Sequence, residues 1–498
     1  MKTATHHLHS LIHSLSSEEK RHFKIFASHH IFGGGNKYTR LFDTIQSQKI
    51  YNEAALKLKF GHNPGSSKFK VMKIYLTEIV LKSLGFFHSE KTVRNVLSLQ
   101  LQKIEVLFNK AQYELCGKLI SKALILAQIH EYFLIQIDIL QWKIRLLQTK
   151  SASGVQKGEL SEASLKLKDA LSKEENLLLC QGFWNVLNMK ISEKGWQWRN
   201  GSEIENEYKP LITHEVFTTE SCTLSIKAKI LRSVTLSAYH YLAGDLKSHK
   251  KENMILFRIF TAHPQMKISE MEYYILCLDN IVYNFLRRGV YREVDRCIAL
   301  FNTLQPQSVF LNCKIAVSTH LPRLIILNSS KQTKAAIDLI PDIAKLLHKF
   351  KSSISKRDVL YFYYNFSCAY FKAGKYKESL VCLSEILNDP EAMMLPDISA
   401  NTRLLNLLVH YELGNFDLLP YLLRSTFRFL MQNNRMYQFE KIALTFIRKL
   451  TEVPVSSVSH LLTDLHKELM SLANANSYEK YAMEYCGFME WLSGKIKQ

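Results

Sequence analysis

The chain is poor in residues that break helices. Its 498 residues include 18 glycines and 10 prolines. Leucine, lysine, isoleucine and serine are abundant instead, a balance that favours long helices joined by short turns. Sustained alternation of apolar and polar residues between hairpin turns is missing, which leaves strands absent or minor. Nine cysteines lie scattered from Cys116 to Cys486 with no C-x-x-C pair. That pattern excludes a zinc ribbon and reads as reduced core thiols in a cytoplasmic protein. The opening "MKTATHHLHSLIHSL" lacks an apolar core of signal-peptide length. No uninterrupted apolar run is long enough to cross a bilayer, so no membrane span is expected.

Acidic residues are also in deficit: 65 Lys and Arg stand against 45 Asp and Glu, a net charge of +20. The excess is uneven. Residues 1–110 hold 17 basic and 7 acidic side chains, so about a fifth of the chain carries half of it. Such a surface suits acidic partners, nucleic acid or an anionic membrane, or is simply a solvated basic face. Hydrophobic residues make up 47% of the chain, enough for a folded core.

What is present is a recurring break. In "AYFKAGKYKESLVCLSEILNDP" (369–390), Tyr363, Phe366 and Tyr370 precede Gly374 on one helix face, and Tyr376, Ser379, Leu383 and Ile386 follow it on another. Gly374 supplies the backbone freedom of a turn, and Pro390 ends the second helix. The same spacing surrounds Gly289 (Phe285, Tyr291, then Pro306), Gly414 (His410, Phe416) and Gly244 (His240, Leu246). At "LFNKAQYELCGKLISKAL" Ala111 replaces the glycine, with Tyr113 two residues on and Cys116, Ile120 and Ala123 on the next face. The markers imply a period of about 40–47 residues, with further turns at "SASGVQKG" (151–158), "RNGSE" (199–203) and "NSSKQTK" (328–334).

These residues resemble the tetratricopeptide repeat (TPR), and "YNFSCAYFKAGKYKESLVCLSEILNDP" is the nearest copy. It departs from the family at Ser379 and Ile386, where alanine is usual, and its proline falls one residue early. The period also exceeds the usual ~34 residues, so the likeness is TPR-like. "SLSSEEKRHFKIFA" and "YELGNFDLLPYLLRSTFRFL" are similar to a family of helical-repeat proteins of Bacteroidota, which implies no activity. The expected fold is all-α: a basic N-terminal helical module (1–95), a TPR-like α-solenoid of about eight or nine hairpins (96–450), and C-terminal capping helices (451–498). In "SYEKYAMEYCGFMEWLSGKIKQ", Tyr481, Tyr485, Phe488 and Trp491 should face inward, with Lys495 and Lys497 trailing.

In the N-terminal module, Ser16 and Glu19 fit a capping box. "SEEKRHFKIFAS", "KYTRLFDTIQSQ", "NEAALKLKF" and "SSKFKVMKIYLTEIVLKSLGFF" read as helices, with Phe69, Met72, Leu76, Ile79 and Val80 as the apolar stripe of the last. Lys57, Lys59, Lys68, Lys70 and Lys73 around "GHNPG" (61–65) suggest a helix-turn-helix that binds nucleic acid, or lysines solvated on a capping bundle. "FKIF" and "FKVMKIYL" offer a basic amphipathic face for a membrane, or an ordinary core-facing helix. His9 and His13 have a metal-ligand spacing, yet no HExxH or cysteine pair supports them, and a polar tail is the plainer reading. "GGGNK" (33–37) lacks the Lys-Ser/Thr of a P-loop, and no kinase, Rossmann or nucleophile-elbow pattern occurs. No enzyme, cofactor or metal is expected.

TPR-like resemblance implies a concave face lined by the first helix of each hairpin. Three residues before the markers stand Phe108, Tyr241, Leu286, Phe371 and Tyr411. Tyr364 lies seven before Phe371, and Arg287 and Lys372 are adjacent. Adjacent positions differ by ~100°, so Tyr370 and Phe285 point elsewhere, to the core. An aromatic ladder with basic neighbours would suit an extended protein or peptide partner carrying carboxylates. The alternative is that the rings pack against the next hairpin. A nucleic-acid-associated regulator built on residues 1–95 is the second functional reading.

Overall fold

A computed structural model describes residues 6–30, 35–61, 63, 67–150, 157–194, 201–306, 308–330, 332–452, 455–475, 479, 483 and 487–496. These residues are all-α, without a strand among them. The chain divides into two compact units, Met1–Leu167 and Lys168–Gln498.

The first unit contains two cores. Helices α1 (His7–Ser14), α2 (Ser17–His30), α3 (Gly35–Ser47), α4 (Glu53–Lys59) and α5 (Ser67–His88) close around Ile12, Phe23, Phe42, Leu56, Phe69 and Leu76. Phe23 and Phe42 stack with centroids 4.2 Å apart. The capping box forms: Ser16 N donates to Glu19 Oε2 at 2.7 Å, and Glu19 N donates to Ser16 Oγ at 3.2 Å. The expected polar tail is instead α1. Its Leu8 and Ile12 are buried, while His9 Nε2 reaches the Gln48 carbonyl (2.8 Å) and His13 Nε2 the Ile45 carbonyl (3.4 Å). The rings thus tie α1 to the C-terminal end of α3, His13 sharing the Ile45 carbonyl with the Gln48 amide (3.1 Å). A second core, around Leu97, Ile104, Cys116, Ile120 and Ile139, joins α6 (Val93–Asn109), α7 (Tyr113–Ile129) and α8 (Phe133–Lys150).

Helix α9 (Lys157–Lys194) leads into the second unit. It is a single helix of 38 residues where sequence spacing leaves room for hairpins. Pairs four apart, Glu162–Lys166 and Asp169–Lys173, line its exposed side. Then come α10 (Gly201–Ile212), α11 (Glu215–Thr218), a 3-10 turn (Glu220–Cys222), α12 (Ile226–Leu242), α13 (Leu246–Ala262), α14 (Met266–Ser269), α15 (Met271–Arg287) and α16 (Tyr291–Asn302). The chain continues through α17 (Val309–Ser329), α18 (Thr333–Lys349), α19 (Lys356–Lys372), α20 (Tyr376–Leu387), a 3-10 turn (Pro390–Met394) and α21 (Pro396–Glu412). It ends with α22 (Leu419–Gln432), α23 (Gln438–Glu452), α24 (Val455–Ala475) and α25 (Phe488–Ile496). The expected turns at 151–158 and 199–203, the "GHNPG" turn, and Tyr481, Tyr485 and Lys497 lie wholly or partly outside the described residues.

Neighbouring helices pack in a repeated order. α12 packs on α13, α15 on α16, α17 on α18, α19 on α20 and α21 on α22. The first helix of each pair also packs on the next first helix, through α12, α15, α17, α19 and α21, and on the second helix of the preceding pair.

The turns share one backbone device. All five markers have positive φ: Ala111 (55°), Gly244 (77°), Gly289 (66°), Gly374 (71°) and Gly414 (72°). Glu131 (50°), between α7 and α8, and Asn434 (53°), between α22 and α23, do the same. At Gly374 the amide of Lys375 donates to the Tyr370 carbonyl (2.9 Å) and the amide of Gly374 to that of Phe371 (3.0 Å). The equivalent long bond forms from Gln112 to Leu107, Tyr132 to Ala127, Val290 to Phe285, Asn415 to His410 and Arg435 to Leu430. This is the Schellman arrangement, which occupies carbonyls orphaned at a helix end.

First and second helices differ in surroundings. α16, α18, α20 and α22 bury one stripe each, such as Ala336, Ile340 and Ile343 of α18. α19 and α21 are enclosed nearly all round, so their buried positions include Asn365, Ser367, Asp397, Asn401, Thr402 and Asn406. α17 is, among the described residues, the one helix long and apolar enough by length and composition to cross a membrane. It carries Pro322 within it and packs against α15, α16, α18 and α19.

Candidate functional site: clefts between first helices

Two of the side chains expected to form a ladder are buried, and Phe108, Tyr241 and Tyr411 are part-exposed. Tyr364 (1% exposed) and Phe371 (8% exposed) belong to the core rather than to an open face. The reason is local. Phe371 meets Tyr376 across the turn at 5.6 Å, as Phe108 meets Tyr113 (5.7 Å) and Tyr411 meets Phe416 (5.8 Å). A residue three before the marker therefore closes its own hairpin. Tyr241 lies against His249 of the neighbouring helix (5.2 Å). The Arg287 side chain is outside the described residues.

Lys372 and Tyr411 are covered by α25. Lys372 pairs with Glu490 and donates to the Asn328 carbonyl (2.8 Å). Tyr411 meets the Trp491 ring at 6.0 Å, edge to face. Beside it, Trp491 Nε1 donates to Glu412 Oε1 (2.7 Å), and Lys495 pairs with the same carboxylate.

The N-terminal lysines divide. Lys73 (2.5 Å) and Lys57 (3.0 Å) both pair with Glu53, to which the Tyr51 hydroxyl also donates (3.0 Å). Burial raises the Glu53 carboxyl, but these three donors outweigh it and bring it down to about 2. Lys59, Lys68 and Lys70 remain exposed.

Two clefts open between successive first helices. In the first unit, Leu101 and Glu105 of α6 face Asp138, Gln141, Trp142 and Arg145 of α8 around a cavity of about 240 Å³. Trp142 rests on Phe108 (5.3 Å), and the Arg145 guanidinium lies over its indole at 4.9 Å. In the second unit, Glu272 and Tyr273 of α15 face Phe310 and Leu311 of α17 around about 270 Å³. Lys314 spans this cleft's rim, 2.5 Å from Glu272 and over the Phe310 ring at 4.8 Å. Deeper along α15, Asp279 Oδ2 accepts from Ser318 Oγ (2.9 Å). Desolvation pushes the Asp279 carboxyl up to about 7; the Ser318 bond opposes this, the Asp358 charge adds to it, and Lys314 opposes it. The clefts thus pair an aromatic wall with groups of both signs.

Spacing alone places Asp138, Gln141, Trp142 and Arg145 on one helix face, a signal present in the sequence. What faces them from α6 is set by packing. A Ser–His pair also occurs, Ser237 Oγ lying 3.1 Å from His249 Nδ1, with Asn253 Nδ2 at 3.1 Å from Nε2. Both Ser237 and His249 are buried, and the network ties α12 to α13. Among the described residues, no group of three His, Cys, Asp or Glu is placed to hold a metal ion. No protein-family model matches this chain, and no curated protein or solved structure is significantly similar to it.

Proposed function

We propose that the protein is a non-catalytic scaffold, a TPR-like superhelix of stacked helix pairs that binds a protein or peptide partner in a cytoplasmic setting. The reading is supported by first helices that pack on one another in chain order and by turns of one backbone geometry. The observation that carries it is that both clefts lie between successive first helices, α6 with α8 and α15 with α17. Partner side chains enter these clefts, a basic group meeting Glu105 and Asp138 and an apolar group meeting Phe310.

The test is a pull-down of tagged full-length protein from its own cell lysate, with and without nuclease, beside Asp138→Lys and Phe310→Ala variants. A discrete partner that survives nuclease and is lost from a variant is the expected result. Recovery of nucleic acid, with proteins lost on digestion, would move the function to Lys59, Lys68 and Lys70. A partner retained equally by both variants would sink the cleft assignment.

A further inference from the structure

Helix α5 is apolar on both sides. Phe69, Met72, Leu76, Ile79 and Val80 face the first core. On the opposite side Val71, Ile74, Leu81 and Phe86 each keep more than half of their surface in water, and Tyr75 is also exposed. With 100° between residues, Val71, Ile74, Tyr75, Leu81 and Phe86 fall within about 140° of arc, on the side away from the core, with Glu78, Lys82 and Gly85 among them. An amphipathic surface helix is mostly polar there, whereas this face has only Glu78 and Lys82 among its apolar side chains. Gly85 lies in the stripe, and a Cβ built on it would meet nothing within 4 Å. A glycine inside a helix is unfavourable, and among the described residues no neighbour requires it.

We propose that the outward face of α5 docks an acidic amphipathic helix of another protein. This surface is separate from the clefts and does not depend on them. The charges select the partner. Lys68 and Lys70 rim the stripe and Lys82 lies within it, all three exposed, with Glu78 as its single acid. A second copy would set this lysine excess against itself. An anionic membrane would draw Glu78, in the middle of the stripe, into a layer of negative charge. A helix with an apolar seam flanked by glutamates covers Val71, Ile74 and Leu81, pairs with the lysines and approaches closely at Gly85.

The test uses a fluorescein-labelled designed helical peptide with a leucine seam flanked by glutamate, and its lysine-flanked twin, titrated against the full chain by anisotropy. Binding of the glutamate peptide at least tenfold tighter than its twin is expected, weakening as salt rises. Ile74→Glu and Lys68→Glu/Lys82→Glu should each weaken it tenfold or more without changing the thermal melt, since all three side chains are exposed. No preference for the glutamate peptide, or binding unchanged in both variants, would overturn the proposal. So would sedimentation showing a dimer that Ile74→Glu dissociates, or co-sedimentation with phosphatidylserine vesicles that Ile74→Glu abolishes.

Discussion

The rings of Phe371 and Tyr376 meet at 5.6 Å across the left-handed residue Gly374, one on the last turn of α19 and one on the first turn of α20. Phe371 is buried, and truncating a buried phenylalanine removes both its transfer energy and its packing. Phe371→Ala should cost about 3–5 kcal/mol in denaturant unfolding. Phe416→Ala, at the half-exposed position of the Gly414 turn that matches Tyr376, should cost less than about 2 kcal/mol.

Backbone conformation makes a separate prediction. Gly374 has open space where a Cβ would stand, so Gly374→Ala meets only the left-handed backbone penalty, about 1–2 kcal/mol. Ala111 already bears that penalty at φ 55°. Ala111→Gly should therefore raise stability by roughly 1 kcal/mol, less the extra chain entropy of glycine. Paired thermal melts of the two variants would show opposite signs.

Acid should loosen the first helices of the chain through Glu53. Its carboxyl falls from 4.5 to about 2 on folding. A lowered carboxyl stabilises above the unfolded value and loses that contribution as pH drops through the folded one. Up to about 3 kcal/mol is at stake between pH 4.5 and 2. Helix content followed by circular dichroism should fall with a shallower acid slope in Glu53→Gln.

Asp279 has the opposite sign. Its carboxyl rises from 3.8 to about 7, so the folded state holds a proton that the unfolded state has released. Stability then declines as pH rises from about 4 to 7, by at most roughly 4 kcal/mol. Asp279→Asn removes the titration. Its melting temperature should fall less than the wild type's over that interval, Asp358 and Glu252 being raised by burial as well, and exceed it at pH 8; equal pH slopes in the two proteins would refute the shift.

The final helix is held at Glu412. Trp491→Phe deletes the indole donor to a nearly buried carboxylate, a charge-assisted bond of about 2 kcal/mol. Lys495→Ala, at a more exposed pair, should cost under about 1 kcal/mol. Hydrogen exchange in α25 should accelerate strongly in the first variant and little in the second.

The hinges of the fold were legible in the sequence wherever glycine marked them, and at Ala111, where Tyr113 kept the spacing. Glu131 escaped notice because a left-handed backbone can be held by hydrogen bonds around a residue with no preference for it, and Asn434, a residue type that does favour it, because Met436 and not an aromatic stands two residues on. The capping box at Ser16 was readable too, being local. The candidate site was legible only as the α8 face of Asp138, Gln141, Trp142 and Arg145, and its opposite wall was not. Phe371 and Tyr364 share a helix face, but whether that face meets solvent depends on α20 and α21, which no spacing within α19 reports. Lys57 and Glu53 are four apart and predictable as a pair; Lys73 arrives from another helix.

The hairpin joints are fastened by main-chain groups. Each long bond runs between an amide and a carbonyl five residues apart, and only the residue at positive φ bears a conformational demand. Glycine, alanine, glutamate and asparagine all occupy that position in this one chain. A joint of this kind constrains the path of the polypeptide while leaving its spelling loose, so the same bend survives four different side chains at the residue that makes it.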